Sequence, residues 1–278
     1  MAKKKRQTKT PAAEPAQNAP VRGGRPLLFA IGGAATIAVV AVIAVAALLL
    51  SGGGNDGATT GARKAVIVDQ LQLTQPGPAF VSDARATLSK AGYTVDYIAG
   101  EQVGVDTYRT LASRGYDLVI LRVHAGITTE VDAATGRATK EEYVSLFTNE
   151  KYDAAKYPED QMNRLGKATY QDGSGGFFGI GPEFIKSIPG DFKGAPVILM
   201  GCDGLKSQKT AQAFLDHGAS AFVSWSDQVS GAHTDQATDA LLKHWLIEGM
   251  TVKDAVTKTA SEVGPDPTYA GELRVLTG

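Results

Sequence analysis

Cysteine is almost absent from this 278-residue chain: Cys202 stands alone. A single thiol excludes a disulfide within the chain and any zinc site built on cysteines, so stability has to come from an apolar core. Histidine is scarce as well. His124, His217, His233 and His244 are scattered without metal-ligand spacing, so no metal is expected, and no other cofactor either. The glycines between Gly173 and Gly181 alternate with Phe177, Phe178 and Ile180 and precede no Gly-Lys-Ser/Thr, which argues for a mobile lid rather than a phosphate cradle. No internal repeat is present. A Gly-x-Cys-x-Gly elbow is also missing, because position 200 is Met and the histidine that could partner the cysteine comes before it. That order counts against nucleophile-elbow hydrolases and class I glutamine amidotransferases.

What is present begins with an uneven charge distribution. Residues 1–26 carry seven Lys/Arg against Glu14, a net +6, so the rest of a chain of net charge −1 carries −7. Next comes Leu27–Leu50, 24 residues without a charge or a proline. At about 1.5 Å per residue this run crosses a hydrocarbon core of about 30 Å as one transmembrane helix. A cleaved signal peptide is the rival, but its apolar region is shorter, and no small-residue cleavage site follows Leu48-Leu49-Leu50. The basic cluster before the span and the lone Asp56 between Ser51 and Gly61 place the N-terminus in the cytoplasm. The chain reads as a single-pass signal-anchored protein of the cell membrane with its C-terminal domain extracytoplasmic. Topology already explains Lys3–Arg6, and no aromatic residues are interleaved there, so no nucleic-acid partner is expected.

The expected organisation is a basic disordered tail (1–26), the membrane helix (27–50), a flexible linker (51–62) and one folded domain (63–278). In the last, Ala65–Val68 is a strand, Val81, Ala84, Leu88 and Ala91 mark a helix, Thr94–Ile98 is a strand, Val105–Ala112 a helix and Leu118–Leu121 a strand. The rhythm resumes at Pro196–Met200, with a helix around Phe214, a strand at Ser220–Ser224, two further helices and an edge strand at Glu272–Leu276. Residues 127–194 interrupt it as an insertion, with short strands at Thr128–Val131 and Tyr143–Phe147. The alternation predicts an α/β fold, a three-layer αβα sandwich on a mainly parallel, flavodoxin-like sheet.

Two apolar runs end in residues that carry chemistry. Leu118–Leu121 leads to His124-Ala125-Gly126, and Pro196–Met200 leads to Gly201-Cys202-Asp203-Gly204. If the two strands are neighbours, about 4.8 Å apart, a thiol and an imidazole meet at the C-terminal edge of the sheet. Cys202 would be the nucleophile, His124 the general base and then acid, and the amides of Cys202, Ala125 and Gly126 the oxyanion hole. A small buried structural cysteine is the competing reading. His217 and His244 read as helix residues, whereas His233 enters a helix at the same sheet edge.

The order strand-His-turn, strand-Cys, helix, strand ending in Ser224-Trp225 resembles the caspase-like (clan CD) cysteine peptidases. That clan includes gingipains, legumain, clostripain, separase and CHAT domains. Gly201-Cys202-Asp203-Gly204, the run Ala211–Ala219, Val223–Asp227 and Thr251–Val256 are similar to the gingipain-like and CHAT pattern. The resemblance implies a caspase-like sheet and a Cys202–His124 dyad without a required third member, acting on a peptide or protein substrate. It also implies a pocket for the P1 side chain beside Trp225, where Asp203 or Asp227 would favour a basic residue; His233, by its place in the loop at the same sheet edge, is a further candidate for that pocket. The clan usually has His-Gly where this chain has His124-Ala125-Gly126. A non-catalytic sensor or adaptor of the same fold, binding a protein through the 127–194 layer, stays open beside the peptidase. So does an enzyme of unrelated substrate on the same sheet. Nothing in the sequence sets the oligomeric state.

Overall fold

The computed structural model describes residues 62–132, 137–160 and 164–278. The expected basic tail and membrane helix, and all but one residue of the expected linker, lie outside the described residues. No helix among the described residues is long and apolar enough to cross a membrane.

Six strands form the main sheet: β1 (Arg63–Asp69), β2 (Tyr93–Ile98), β3 (Leu118–Arg122), β8 (Val197–Leu199), β9 (Ala221–Trp225) and β10 (Leu273–Thr277). Their spatial order is β2-β1-β3-β8-β9-β10, parallel except for β10, which runs antiparallel along β9. Ala65, Val66, Ile67 and Val68 are all fully buried, which explains why β1 is a continuous apolar run and not an alternating one: both of its faces are covered.

One face, with Ala65, Ile67, Leu118, Ile120 and Ile198, packs on α1 (Pro78–Lys90), α5 (Gly231–Leu242) and α6 (Val252–Val263). The other, with Val66, Val68, Val119, Leu121 and Val197, packs on α2 (Val105–Leu111), α3 (Pro182–Ser187) and α4 (Lys209–Asp216). Helices therefore cover both faces of a mainly parallel sheet. Pro78 opens α1 at the first helical position, where its missing N–H costs no bond, and the Thr251 hydroxyl accepts the Asp254 N–H at 3.1 Å to start α6.

The 127–194 insertion is more ordered than its sequence suggests. It belongs to a second, antiparallel sheet in the order β4-β5-β7-β6, made of β4 (Ala125–Val131), β5 (Ala138–Lys151), β6 (Leu165–Thr169) and β7 (Gly175–Ile180). The second sheet starts directly after His124, two residues before the expected boundary. The glycine-rich stretch read as a lid is β7. Phe178 and Ile180 are buried in the same core as α2 and α3, and that burial outweighs the low strand preference of glycine.

Gly201 and Gly204 flank the cysteine for a packing reason. A Cβ on Gly201 would collide with the Val123 carbonyl and sit 2.9 Å from the Ala125 Cβ, so the glycine lets β3 and β8 close up where they end. A Cβ on Gly204 would collide with the Ser224 hydroxyl, which donates to the Leu199 carbonyl at 2.8 Å. The sharp exit from the strand falls instead on Asp203, at φ +61°. Gly201→Ala is expected to destabilise the domain by about 1–3 kcal/mol, the usual cost of overpacking. Urea unfolding of the variant checks it, and an unchanged midpoint would show that the ends of β3 and β8 have slack.

Candidate functional site

The strand order reverses at β1: the chain goes from β1 to β2 on one side and returns to β3 on the other. Open α/β sheets form a crevice at the C-terminal ends of such strands. Asp69 and Gln70 stand at the end of β1 here, and Arg122 at the end of β3 with His124 two residues beyond.

Arg122 is 1 % exposed and fully engaged. Its Nη1 donates to Asp69 Oδ1 at 2.8 Å, Nε and Nη2 grip the two Asp235 oxygens at 2.8 and 2.9 Å, and Nη2 also reaches the Gln75 carbonyl at 2.8 Å. Tyr97 donates to the second Asp69 oxygen at 2.9 Å. These bonds tie β1, β2, β3, the loop after β1 and α5 together at the sheet edge. A cavity of about 540 Å3 opens on the far side of Asp69, between Tyr97, Gln72, Pro76 and Arg85; neither Cys202 nor His124 lines it.

In the β3–β8 ladder Val119 faces Val197, Ile120 faces Ile198 and Leu121 faces Leu199. The Met200 N–H still donates to the Leu121 carbonyl at 2.9 Å, and Gly201 lies against the Val123 carbonyl and Ala125, so Cys202 and His124 follow adjoining strand ends. The two main chains are thus brought together. Their side chains are held by other groups. The Cys202 Sγ donates to the Val229 carbonyl at 3.6 Å and packs on the side of α1, α5 and α6. His124 Nε2 shares a hydrogen bond with the Thr74 hydroxyl at 3.1 Å, and its ring leans on Tyr170 and Phe147 with centroids 5.0 and 6.0 Å away. Among the described residues no hydrogen bond joins Cys202 to His124.

The electrostatics match this separation. Burial pushes the Cys202 thiol above its ordinary range, and the carboxylates of Asp203, Asp266 and Asp227 push it further. Burial, with the Arg122 cation nearby, lowers His124 from 6.5 to about 4. At neutral pH the site is a neutral thiol and a neutral imidazole, not a thiolate–imidazolium pair.

The remaining expected residues fall into distinct positions. Ala125 and Gly126 open β4, opposite Leu146 and Ser145, and the space above Gly126 is open. Asp203 is buried. Its Oδ1 has only a 3.5 Å contact with Lys206 Nζ and no hydrogen bond among the described residues, and burial raises its carboxyl. Asp227 is half exposed and pairs with Lys206 Nζ at 3.0 Å. Trp225 lies in the core, its indole N–H donating to Thr234 at 2.9 Å, so it backs the site and has no open face of its own. His233 leans on Trp225, ring centroids 5.3 Å apart, and its Nε2 meets the Gly264 carbonyl at 3.2 Å. The sequence reading passed over Arg122, Asp69, Gln70 and Thr74. An arginine inside the apolar run Leu118–Val123 was the available signal, since a charge there has to be paired.

No protein-family model matches this chain, and no curated protein does. Among solved structures it is similar to the Arg-specific cysteine proteinase gingipain R, at 11% identity and a TM-score of 0.39 over 72% of this chain and 42% of that one. A Geobacter sulfurreducens protein is similar at 12% identity and a TM-score of 0.36, over 77% of this chain and 93% of that one. Both superpositions are loose, and the chain spans less than half the length of gingipain R.

Because His124 is neutral and half-buried when folded, the unfolded chain binds more protons between pH 6.5 and about 4. His124 therefore contributes stability that is complete above pH 6.5 and is lost as pH falls through this window. Asp239 works the other way: burial raises it from 3.8 to about 6, so its effect favours the folded state at the acid end. Subtracting the stability–pH curve of His124→Phe from that of the wild type isolates the histidine. The difference is expected to fall with acidification over this range, and a flat difference would show that His124 is solvated in the folded state.

Proposed function

We propose that the described domain is a caspase-like cysteine peptidase that hydrolyses peptide bonds with Cys202 and His124. The observation that carries the reading is the shared register of β3 and β8, which supports a thiol and an imidazole working at one sheet edge. The uninterrupted Leu27–Leu50 run, preceded by basic residues, supports a membrane anchor with this domain on the outer side.

In the reaction, Sγ leaves the Val229 carbonyl and attacks the scissile carbonyl carbon while the neutral imidazole takes its proton. The oxyanion is met by main-chain N–H groups at Cys202 and at the start of β4, Ala125-Gly126, the latter beside the open space over Gly126. Collapse breaks the C–N bond, and His124 returns the proton to the departing amine, leaving a thioester. Water deprotonated by His124 attacks that thioester, which releases the carboxylic product and restores the thiol. An imidazole that titrates at about 4 is a weak base, so the resting site is dormant and substrate binding has to bring the two side chains together. Thr74, on an exposed loop, is positioned to hold the ring while this happens. The buried Asp203 carboxylate next to Cys202 in the chain, its Oδ1 met only by the Lys206 ammonium at 3.5 Å, supports a pocket for a cationic P1 side chain, reached by displacing Lys206.

A second reading, a non-catalytic binding domain, is favoured by the thiol's bond to Val229 and, among the described residues, by the absence of a hydrogen bond between Cys202 and His124. Cleavage of a fluorogenic peptide library by the full chain separates the two. Cys202→Ala and His124→Ala are each expected to lower cleavage by at least about a hundredfold. Activity that persists in both, or a wild type that cleaves nothing, would leave the binding domain. Among cleaved peptides, Asp203→Asn is expected to reduce the preference for Arg or Lys over neutral residues by about tenfold, the worth of one charged hydrogen bond. An unchanged preference would remove Asp203 from the pocket.

A further inference from the structure

His124 is clamped through its backbone as well as its ring. Its N–H donates to the Gln70 side-chain oxygen at 2.8 Å, and its carbonyl accepts from the Phe147 N–H of β5 at 2.9 Å. The other end of the Gln70 amide donates to Asn149 Oδ1, also at 2.8 Å. Asn149 in turn donates from Nδ2 to the Gln70 carbonyl at 3.0 Å and to the Gly100 carbonyl at 2.8 Å, while its own N–H reaches the Val103 carbonyl at 2.7 Å.

Gln70 is fully buried. Two primary amides so placed, with their donors and acceptors matched, are a costly arrangement unless every group is satisfied, and these are. The pair spans the molecule at one point: Gln70 follows β1 of the main sheet and Asn149 belongs to β5 of the inserted sheet. Phe147, two residues before Asn149, touches the His124 ring, and Tyr170, just past β6, closes over that ring. Every group that fixes His124, apart from Thr74 and Gln70 on the β1 loop, therefore comes from the inserted sheet or its margin.

We propose that Gln70 and Asn149 are the positioning pair of His124, an amide bridge through which the inserted sheet sets how that imidazole is held and shielded from water. The importance of the bridge for catalysis rests on the peptidase reading, but the bridge itself is testable without turnover. Removing it lets the segment around His124 loosen and water reach the ring, so the imidazole titrates closer to its ordinary value. Arg122 is the charged group whose field acts on the ring, and its own partners, Asp69 and Asp235, are untouched by the change.

The experiment follows the ring-proton shifts of His124 in the full chain by NMR as pH is varied, with the signal assigned from its loss in His124→Gln. Gln70→Met and Asn149→Ala are each expected to raise the His124 midpoint from about 4 by about one unit. The double variant is expected to move it no further than the larger single, because either change breaks the same bridge. Val256→Ala, in the core on the opposite face of the sheet, is expected to lower the melting temperature while leaving the midpoint in place. A midpoint that stays put in both amide variants, shifts that add in the double, or an equal shift in Val256→Ala would overturn the proposal. If Gln70→Met does not fold, Asn149→Ala decides alone, since Asn149 makes no hydrogen bond to His124. Peptide cleavage is no part of this readout, so failure of the bridge and failure of the peptidase reading are separate results.

Discussion

The C-terminal edge of the main sheet is held by one buried cation. Arg122 lies two residues before His124, and its guanidinium bonds to β1, to the loop after β1 and to α5 at once. A buried charge of this kind adds little net stability compared with an apolar replacement of similar size, but losing one partner leaves the others unpaired and costs about 3–5 kcal/mol. Its effect is therefore on arrangement. With Arg122 in place, the loop carrying Thr74 sits over His124, and α5 enters beside the strand that leads to Val229 and Trp225.

Within that frame the separation of thiol and imidazole has a physical cause. Each is half enclosed, each has an uncharged hydrogen-bond partner, and the net field of nearby groups disfavours both charged forms: carboxylates act on Cys202 and a cation acts on His124. A thiolate–imidazolium pair would need the reverse arrangement. The register supplies proximity and the electrostatics withhold activation, so any chemistry at this edge depends on a ligand that changes the surroundings of both groups.

Much of the fold was legible in the sequence because burial on both faces leaves continuous apolar runs, as at Ala65–Val68 and Leu118–Leu121, and a parallel sheet then follows from the helical spacing between them. The adjacency of β3 and β8 was legible for the same reason, whereas the side-chain partners of Cys202 and His124 beyond those strands were not. The inserted sheet was harder. Its glycine-rich strand, Gly175–Ile180, has low intrinsic preference for a strand and is fixed by tertiary burial of Phe178 and Ile180. The groups that hold His124 were illegible, since Gln70, Thr74 and Asn149 are ordinary polar residues whose meaning lies in partners about 50 to 80 positions away. Trp225 shows the opposite error, a large aromatic beside the site whose place is in the core.

The central claim is that Cys202 becomes a nucleophile through His124 when a substrate-like ligand occupies the site. Incubation of the full chain with a peptidyl acyloxymethyl ketone bearing a basic P1 residue, followed by mass spectrometry of the tryptic peptides, tests it directly. The account predicts a stable adduct on Cys202 in the wild type, slow or absent labelling by iodoacetamide under the same conditions, and no peptidyl adduct in His124→Ala. Equal labelling of Cys202 by both reagents regardless of His124, or no peptidyl adduct in the wild type, would contradict it.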